Sequence, residues 1–284
     1  MAGNVNPTVR RRRLGSELRK LREAKGMTAE EVASRLLVSQ SKISRLENGR
    51  RSISQRDVRD LCMVYGVEDE RLVESLMTMA RESRQRGWWH AFGDIPYSVY
   101  IGLEAEAASI RNYQSLMLPG LLQTRDYAHA VVSGMQPEAS PEDVEKRVEV
   151  RMRRQERIHA KDPVRFWAVL DEAALHRVVG NPQIMREQLE HLVELSRLPH
   201  VTVQVIPFSV GAHPGMTGAF SLLEFPEATD SDVVYLEGVT SDLYLEREAD
   251  VSLYTVMYEH LRAEALAPEP TRMLLAQVAK EYSR

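Results

Sequence analysis

A mostly α-helical N-terminal domain followed by an α+β domain with an antiparallel sheet is the fold class this sequence predicts. Three observations lead there. Apolar residues recur at spacings of three and four through the first 85 residues, with helix caps and glycine stops between them. After residue 164 the pattern changes to short β-rich runs set between Gly, Pro and Asp. Charge divides along the same line. Residues 1–60 hold 15 Lys/Arg against 7 Asp/Glu, a net of +8, which leaves 22 against 34, or −12, for the remainder. A length of 284 residues suits two domains, and 43% hydrophobic with 27% charged residues is ordinary for a folded chain.

The elements follow in order. Leu14, Leu18 and Leu21 predict a helix over 14–26 that stops at Gly26, preceded by the basic arm Arg10–Arg13. Thr28 with Glu31 three residues on has the capping-box pattern and opens a second helix, Thr28–Leu36. Ser39 caps a third, Gln40–Glu47, which Gly49 ends. Ser54 starts a fourth, through Tyr65, and a fifth runs from Glu68 to about Gln85. Five helices thus make a domain over 1–82. The aperiodic stretch GWWHAFGDIPYSVYI makes 83–101 a junction, with one of Trp88 and Trp89 packed there.

Residues 102–284 form the second domain. Gly102–Tyr113 and Gln123–Ser133 read as helices. Ser140-Pro141-Glu142-Asp143 starts another, to about Ala160, with a cap, an N1 proline and acids against the dipole. Residues 164–171 read as a strand, and Asn181-Pro182 opens a helix to about Arg197. Strand-like runs occupy 201–207, 219–225, 232–238 and 242–247, and helices Glu248–Leu266 and Thr271–Tyr282 close the chain.

The chemistry concentrates in the head. Val32, Ala33, Leu36, Val38, Ile43 and Leu46 form one apolar set that packs the second and third helices together. Gln40, Ser41, Ser44 and Arg45 then share the opposite face, carry no acid, and have the donors and acceptors that meet base edges in a major groove. Phosphate contacts are expected from Arg10, Arg11, Arg12, Arg13, Arg19, Thr28, Lys42, Asn48, Arg50 and Arg51. The stretch MTAEEVASRLLVSQSKISRLENGRR resembles the helix-turn-helix of the lambda-repressor-like, Xre-type regulators. The likeness rests on T-x-x-E, Ala33, the V-S turn exit, Ile43/Leu46 and L-E-N-G-R. It implies a five-helix domain that binds operator DNA as a dimer, and a structural ion pair between Arg22 and Glu47. Leu37 departs from the usual turn glycine, and Ala29 from a DNA-contacting glutamine, which places base readout on the third helix.

The acidic body has no G-x-S-x-G, P-loop, dinucleotide-binding glycine pattern or H-E-x-x-H, and no two of its histidines are spaced i, i+3 or i+4. The single Cys62 excludes a disulfide framework and a Cys-built zinc site. The expectation is therefore a binding protein rather than an enzyme, with no cofactor and no metal. The glycine-rich link IPFSVGAHPGMTGAF offers Gly211, His213, Gly215 and Gly218 as a pocket loop. From about Gly87 the chain resembles a C-terminal domain common in actinobacterial regulators, whose genes often neighbour one for a small protein. That resemblance implies a regulator–partner pair, sometimes described as antitoxin-like. Without a secretory signal or an apolar run long enough to span a bilayer, the expected setting is the cytoplasm, on the nucleoid when DNA is bound. Two readings stay open. One is a homodimeric transcriptional regulator controlled through its body by a small partner protein or ligand. The other is an antitoxin or immunity protein that neutralises its partner and autoregulates its operon.

Overall fold

The computed structural model describes residues 7–49, 51–84, 87–92, 95, 97–226 and 231–283. They divide into two compact units, one up to Glu106 and one from Ala107 onward.

The first unit contains α1 (Pro7–Ala24), α2 (Ala29–Arg35), α3 (Gln40–Glu47), α4 (Gln55–Tyr65), α5 (Glu70–Glu82), a 3₁₀ turn at Trp88–Phe92, and α6 (Ser98–Glu106). Leu14 and Leu18 of α1, Val32 and Ala33 of α2, Ile43 and Leu46 of α3, and Val58, Leu61 and Leu76 of α4 and α5 are all buried in one core. Each of these Val, Leu and Ile side chains contributes about 1.5–3 kcal/mol of burial, and the Ala33 methyl about 0.8. The expected capping box of Thr28 with Glu31 forms, and Ser54 makes a further one with Asp57.

The basic arm is a correction. Arg10–Arg13 do not precede the first helix; α1 starts at Pro7 and incorporates them. Proline suits the first helical turn, arginine is a good helix former, and nothing between Thr8 and Leu14 breaks the pattern. Two glycines explain how closely α1 lies on α3. A Cβ on Gly15 would sit 2.5 Å from the Glu47 carbonyl oxygen, and one on Gly49, whose φ is +62°, would sit 2.9 Å from Arg12 Cα.

The domain boundary also differs from the expected junction at 83–101. Residues 102–106 belong to α6, which packs on α1 and so joins the helical unit. Trp89 is buried and Trp88 half-buried, edge-on to each other at 5.8 Å.

The second unit is α+β around a six-stranded sheet in the order β3-β2-β1-β4-β5-β6. The strands are β1 (Ser109–Gln114), β2 (Arg165–Asp171), β3 (Val201–Ile206), β4 (Phe220–Glu224), β5 (Val233–Leu236) and β6 (Leu243–Leu245). The helices are α7 (Arg125–Met135), α8 (Pro141–Gln155), α9 (Ala173–His176), α10 (Pro182–Leu195), α11 (Glu248–Glu264) and α12 (Pro268–Glu281). The sheet is mixed. β1–β4, β4–β5 and β5–β6 pair antiparallel as expected, whereas β1–β2 and β2–β3 are parallel. The cause is β1 itself. Residues 109–113, expected to continue a helix, form a strand at the sheet's centre, so α7–α8 and α9–α10 become crossovers between parallel strands.

Tyr113, Val169, Ile206, Phe220 and Leu222 share one sheet face and pack under Tyr258 and Leu261 of α11. The outer edge of β3 is closed by the segment before α12. The Leu266 amide donates to the Val205 carbonyl at 2.8 Å, and the Val205 amide donates to Thr271 Oγ1 at 3.2 Å. Edge covering of this kind blocks pairing with another chain. Along α11, Leu261 is buried and Met257 half-buried, while Leu253 and Val256 are exposed.

Candidate nucleic-acid interface

The expected reading helix, α3, is set by its caps and its buried face. Ser39 is extended, and its Oγ accepts from the Lys42 amide at 3.2 Å. The turn before it passes through Leu37 at φ 54°, so the leucine adopts the left-handed conformation that glycine would take more readily, and it is 93% exposed. Ile43 and Leu46 point into the core, and that fixes which side chains face out. Gln40, Ser41, Ser44 and Arg45 are all exposed. Arg45 lies back along the helix, with Nε donating to the Ser41 carbonyl at 3.1 Å. Asn48 Nδ2 lies 3.4 Å from Ser44 Oγ. These are weak surface contacts that base edges or phosphates can replace.

Glu47, beside this face in sequence, is turned away from it. Its carboxylate receives Arg22 Nε at 2.7 Å and Nη2 at 2.9 Å, and Arg22 Nη1 donates to the Met27 carbonyl at 2.7 Å. The side chains are 11% and 5% exposed. The hydrogen bonds that Arg22 donates to Glu47 raise the Arg22 pKa, and the Glu47 charge adds to them. Next to this pair, burial pushes the Tyr65 phenol well above its ordinary range, assisted by the Glu47 charge. Drawing the acid inward leaves the outward face cationic and polar.

The expected phosphate contacts divide. Asn48 and Arg51 are exposed beside α3. Arg19 is on the surface, paired with Glu23 at 2.8 Å. The Thr28 hydroxyl serves the capping box of α2, accepting from the Glu31 amide at 3.2 Å. Lys42 is held by α4, its Nζ 2.9 Å from Asp57 Oδ1. Burial works to raise the Asp57 carboxyl, but hydrogen bonds from Ser54 and Lys42 outweigh it and hold the group below the usual carboxylate range. Lys42 therefore ties α3 to α4 in this structure. Arg11, Arg12 and Arg13 are half-buried along α1. The Arg10 side chain and Arg50 lie outside the described residues. Sequence reasoning missed Gly15, whose only signal was a glycine inside a helical repeat.

The expected pocket loop is packed down instead of open. Gly211 and Gly218 take φ of 75° and 130°. Gly215 lies so close over the Tyr113 ring that a Cβ there would be 2.3 Å from Cζ. The His213 side chain is only 5% exposed, with Nε2 3.1 Å from Asp171 Oδ2. Glycine at 215 lets the loop backbone descend onto the Tyr113 ring, while Gly211, Met216 and Thr217 stay exposed.

Among the described residues no helix is long and apolar enough to cross a membrane. Residues 13–76, within the first unit, match a helix-turn-helix domain, a match that suggests DNA binding. No curated protein and no solved structure matches the chain significantly. Residues 97–277 match the model of a domain of unknown function, DUF5753. That match covers well over half the chain, which belongs to the DUF5753 family and carries a helix-turn-helix domain at its head.

Proposed function

We propose that the protein is a sequence-specific transcriptional regulator that binds its operator as a homodimer and receives a signal through the α+β unit. It works by binding and not by catalysis, in the cytoplasm, and the signal is a small partner protein or a ligand. One observation carries the reading: Gln40, Ser41, Ser44 and Arg45 stand exposed on one face of a capped helix, while the neighbouring Glu47 is buried against Arg22. A lone helix-turn-helix reads only a half-site, so two copies with half-sites about 34–36 Å apart are required for an operator. The acidic body supports a division of labour in which the head meets DNA and the body meets something else.

The test begins with selection of a preferred duplex from a random pool by the full chain. Affinity for that duplex and for scrambled DNA is then measured by fluorescence anisotropy. Wild type should prefer the selected site, and Gln40→Ala should lose roughly 1–3 kcal/mol of that preference with little change on scrambled DNA. Equal loss on both, or no preference in the wild type, overturns the reading.

A further inference from the structure

The sheet of the second unit carries an anomaly on the face covered by α11. Toward one end of that face the side chains are apolar: Tyr113, Val169, Ile206 and Leu222. Toward the other end the same strands present Arg111, Arg165, Trp167, Thr202 and Glu224, in register with one another. A strand that only packed under a helix would stay apolar along its length. Here the polar residues line a cavity of about 360 Å³, completed by Arg262 and Glu259 of α11. That volume is in the usual range for small-molecule sites.

The groove has an internal order. Arg111 reaches Glu224 and, at 3.4 Å, Glu259, and its own Nε is buried with no acceptor among the described residues. Arg262 lies 4.9 Å over the Trp167 indole and is held at 2.5 Å by Glu259. The Trp167 Nε1 donates to Gln204 at 2.8 Å, which fixes the ring. Arg165 on the rim is exposed and engages no carboxylate among the described residues. Three guanidinium groups therefore face two carboxylates. The two acids position Arg111 and Arg262, and the surplus charge and the missing acceptor are both of the kind an oxyanion satisfies. The half-buried indole with its stacked guanidinium supplies a flat wall.

We propose that this groove binds a small, flat-ringed organic anion, its carboxylate or phosphate on the arginines and its ring along Trp167 and Arg262. The proposal deepens the reading of the α+β unit as the receiver of a signal, and rests on it for the consequence at DNA.

Isothermal calorimetry on the full chain provides the test, with benzoate and phenyl phosphate as anionic probes, benzamide as the neutral one and benzamidine as the cationic one. At least one anionic probe should saturate at one per chain, with a Kd on the order of 1 mM for a ligand of about ten heavy atoms. Comparing benzoate with phenyl phosphate tells which oxyanion the groove prefers. Benzamide should give no saturable heat. Arg165→Glu, an exposed change that leaves the core alone, should weaken binding at least about tenfold. Arg247→Glu, an exposed charge outside the groove, should bind as wild type does. Failure of both anions to saturate, equal binding of benzamide, tighter binding of benzamidine, or an unaffected Arg165→Glu variant overturns the site. Calorimetry reads binding alone, so saturable anion binding that leaves operator affinity unchanged removes the signalling reading and keeps the site.

Discussion

Replacing Glu47 by alanine tests whether this acid holds the head together or reads DNA. In the folded protein Arg22 loses two charge-assisted hydrogen bonds, at 2.7 and 2.9 Å, and keeps one to the Met27 carbonyl. With side-chain exposures of 11% and 5%, little water reaches the site to compensate. Breaking one side of a buried pair costs about 3–5 kcal/mol. The Glu23 carboxylate at 3.5 Å moderates the loss, but it is 51% exposed and such a contact recovers less than about 1 kcal/mol. The expected destabilisation is thus about 3 kcal/mol. For a unit of this size that lowers the melting midpoint by roughly 12–24 °C. Thermal melting followed by circular dichroism measures the shift, and hydrogen exchange localises it, with amides of α1 and α3 losing protection first. Glu47→Gln, which keeps the shape and one acceptor, should fall between. Wild-type melting and protection in Glu47→Ala, accompanied by a changed operator preference, would refute the structural role and make Glu47 a reading residue.

Other outcomes follow from the same unit. Leu37→Gly relieves a left-handed backbone worth ~1–2 kcal/mol and gives back ~0.5–1 kcal/mol in chain entropy, so the variant should melt a few degrees higher; a lower midpoint means the leucine side chain contributes contacts that its exposure conceals. The folded Asp57 carboxyl titrates below its unfolded value. Its stabilisation is therefore complete above the unfolded pKa, about 4, and is lost as pH falls through the folded pKa. Acid titration of wild type against Asp57→Asn should show a steeper stability loss below about pH 4 in the wild type, and parallel curves would contradict the coupling. A fragment ending at residue 82 omits α6, which packs on α1, so it should melt below a fragment ending at 106; equal midpoints would place the boundary where the sequence suggested it.

The legible parts of this chain were those whose signals are local. Ser39, Ser54, Ser140 and Asn181 each cap the helix expected of them, because an N-cap bonds an amide two or three residues on and needs no tertiary partner. The outward face of α3 was legible for a related reason: once Ile43 and Leu46 are assigned to the core, helical geometry dictates the rest. The Arg22–Glu47 contact spans 25 residues, and only a family resemblance made it visible. Residues 109–113 failed as a helix because nothing inside LEAEAASIRNY shows that two strands, β2 and β4, will flank it. With that strand hidden, the alternation of strands and helices from 109 to 206 could not be seen as parallel crossovers.

The arginine groove was hidden by the same gap. Arg111, Arg165 and Thr202 lie dozens of residues apart and look like solvated surface until β1 joins β2 and β3 in register. Arg262 joins them only because α11 folds back over that face. The recognition face and the groove thus differ in what specifies them. One is a property of eight consecutive residues and survives any arrangement of the body. The other exists only when the mixed sheet has formed, so a ligand that binds there stabilises the assembled sheet over any partly formed one. A ligand can act at the DNA-binding head only if it distinguishes two states of the protein. A site built from four strands and a helix suits that condition, because any shift of α11 would move Arg262 and Glu259 relative to Arg111 and Arg165 and so change the affinity.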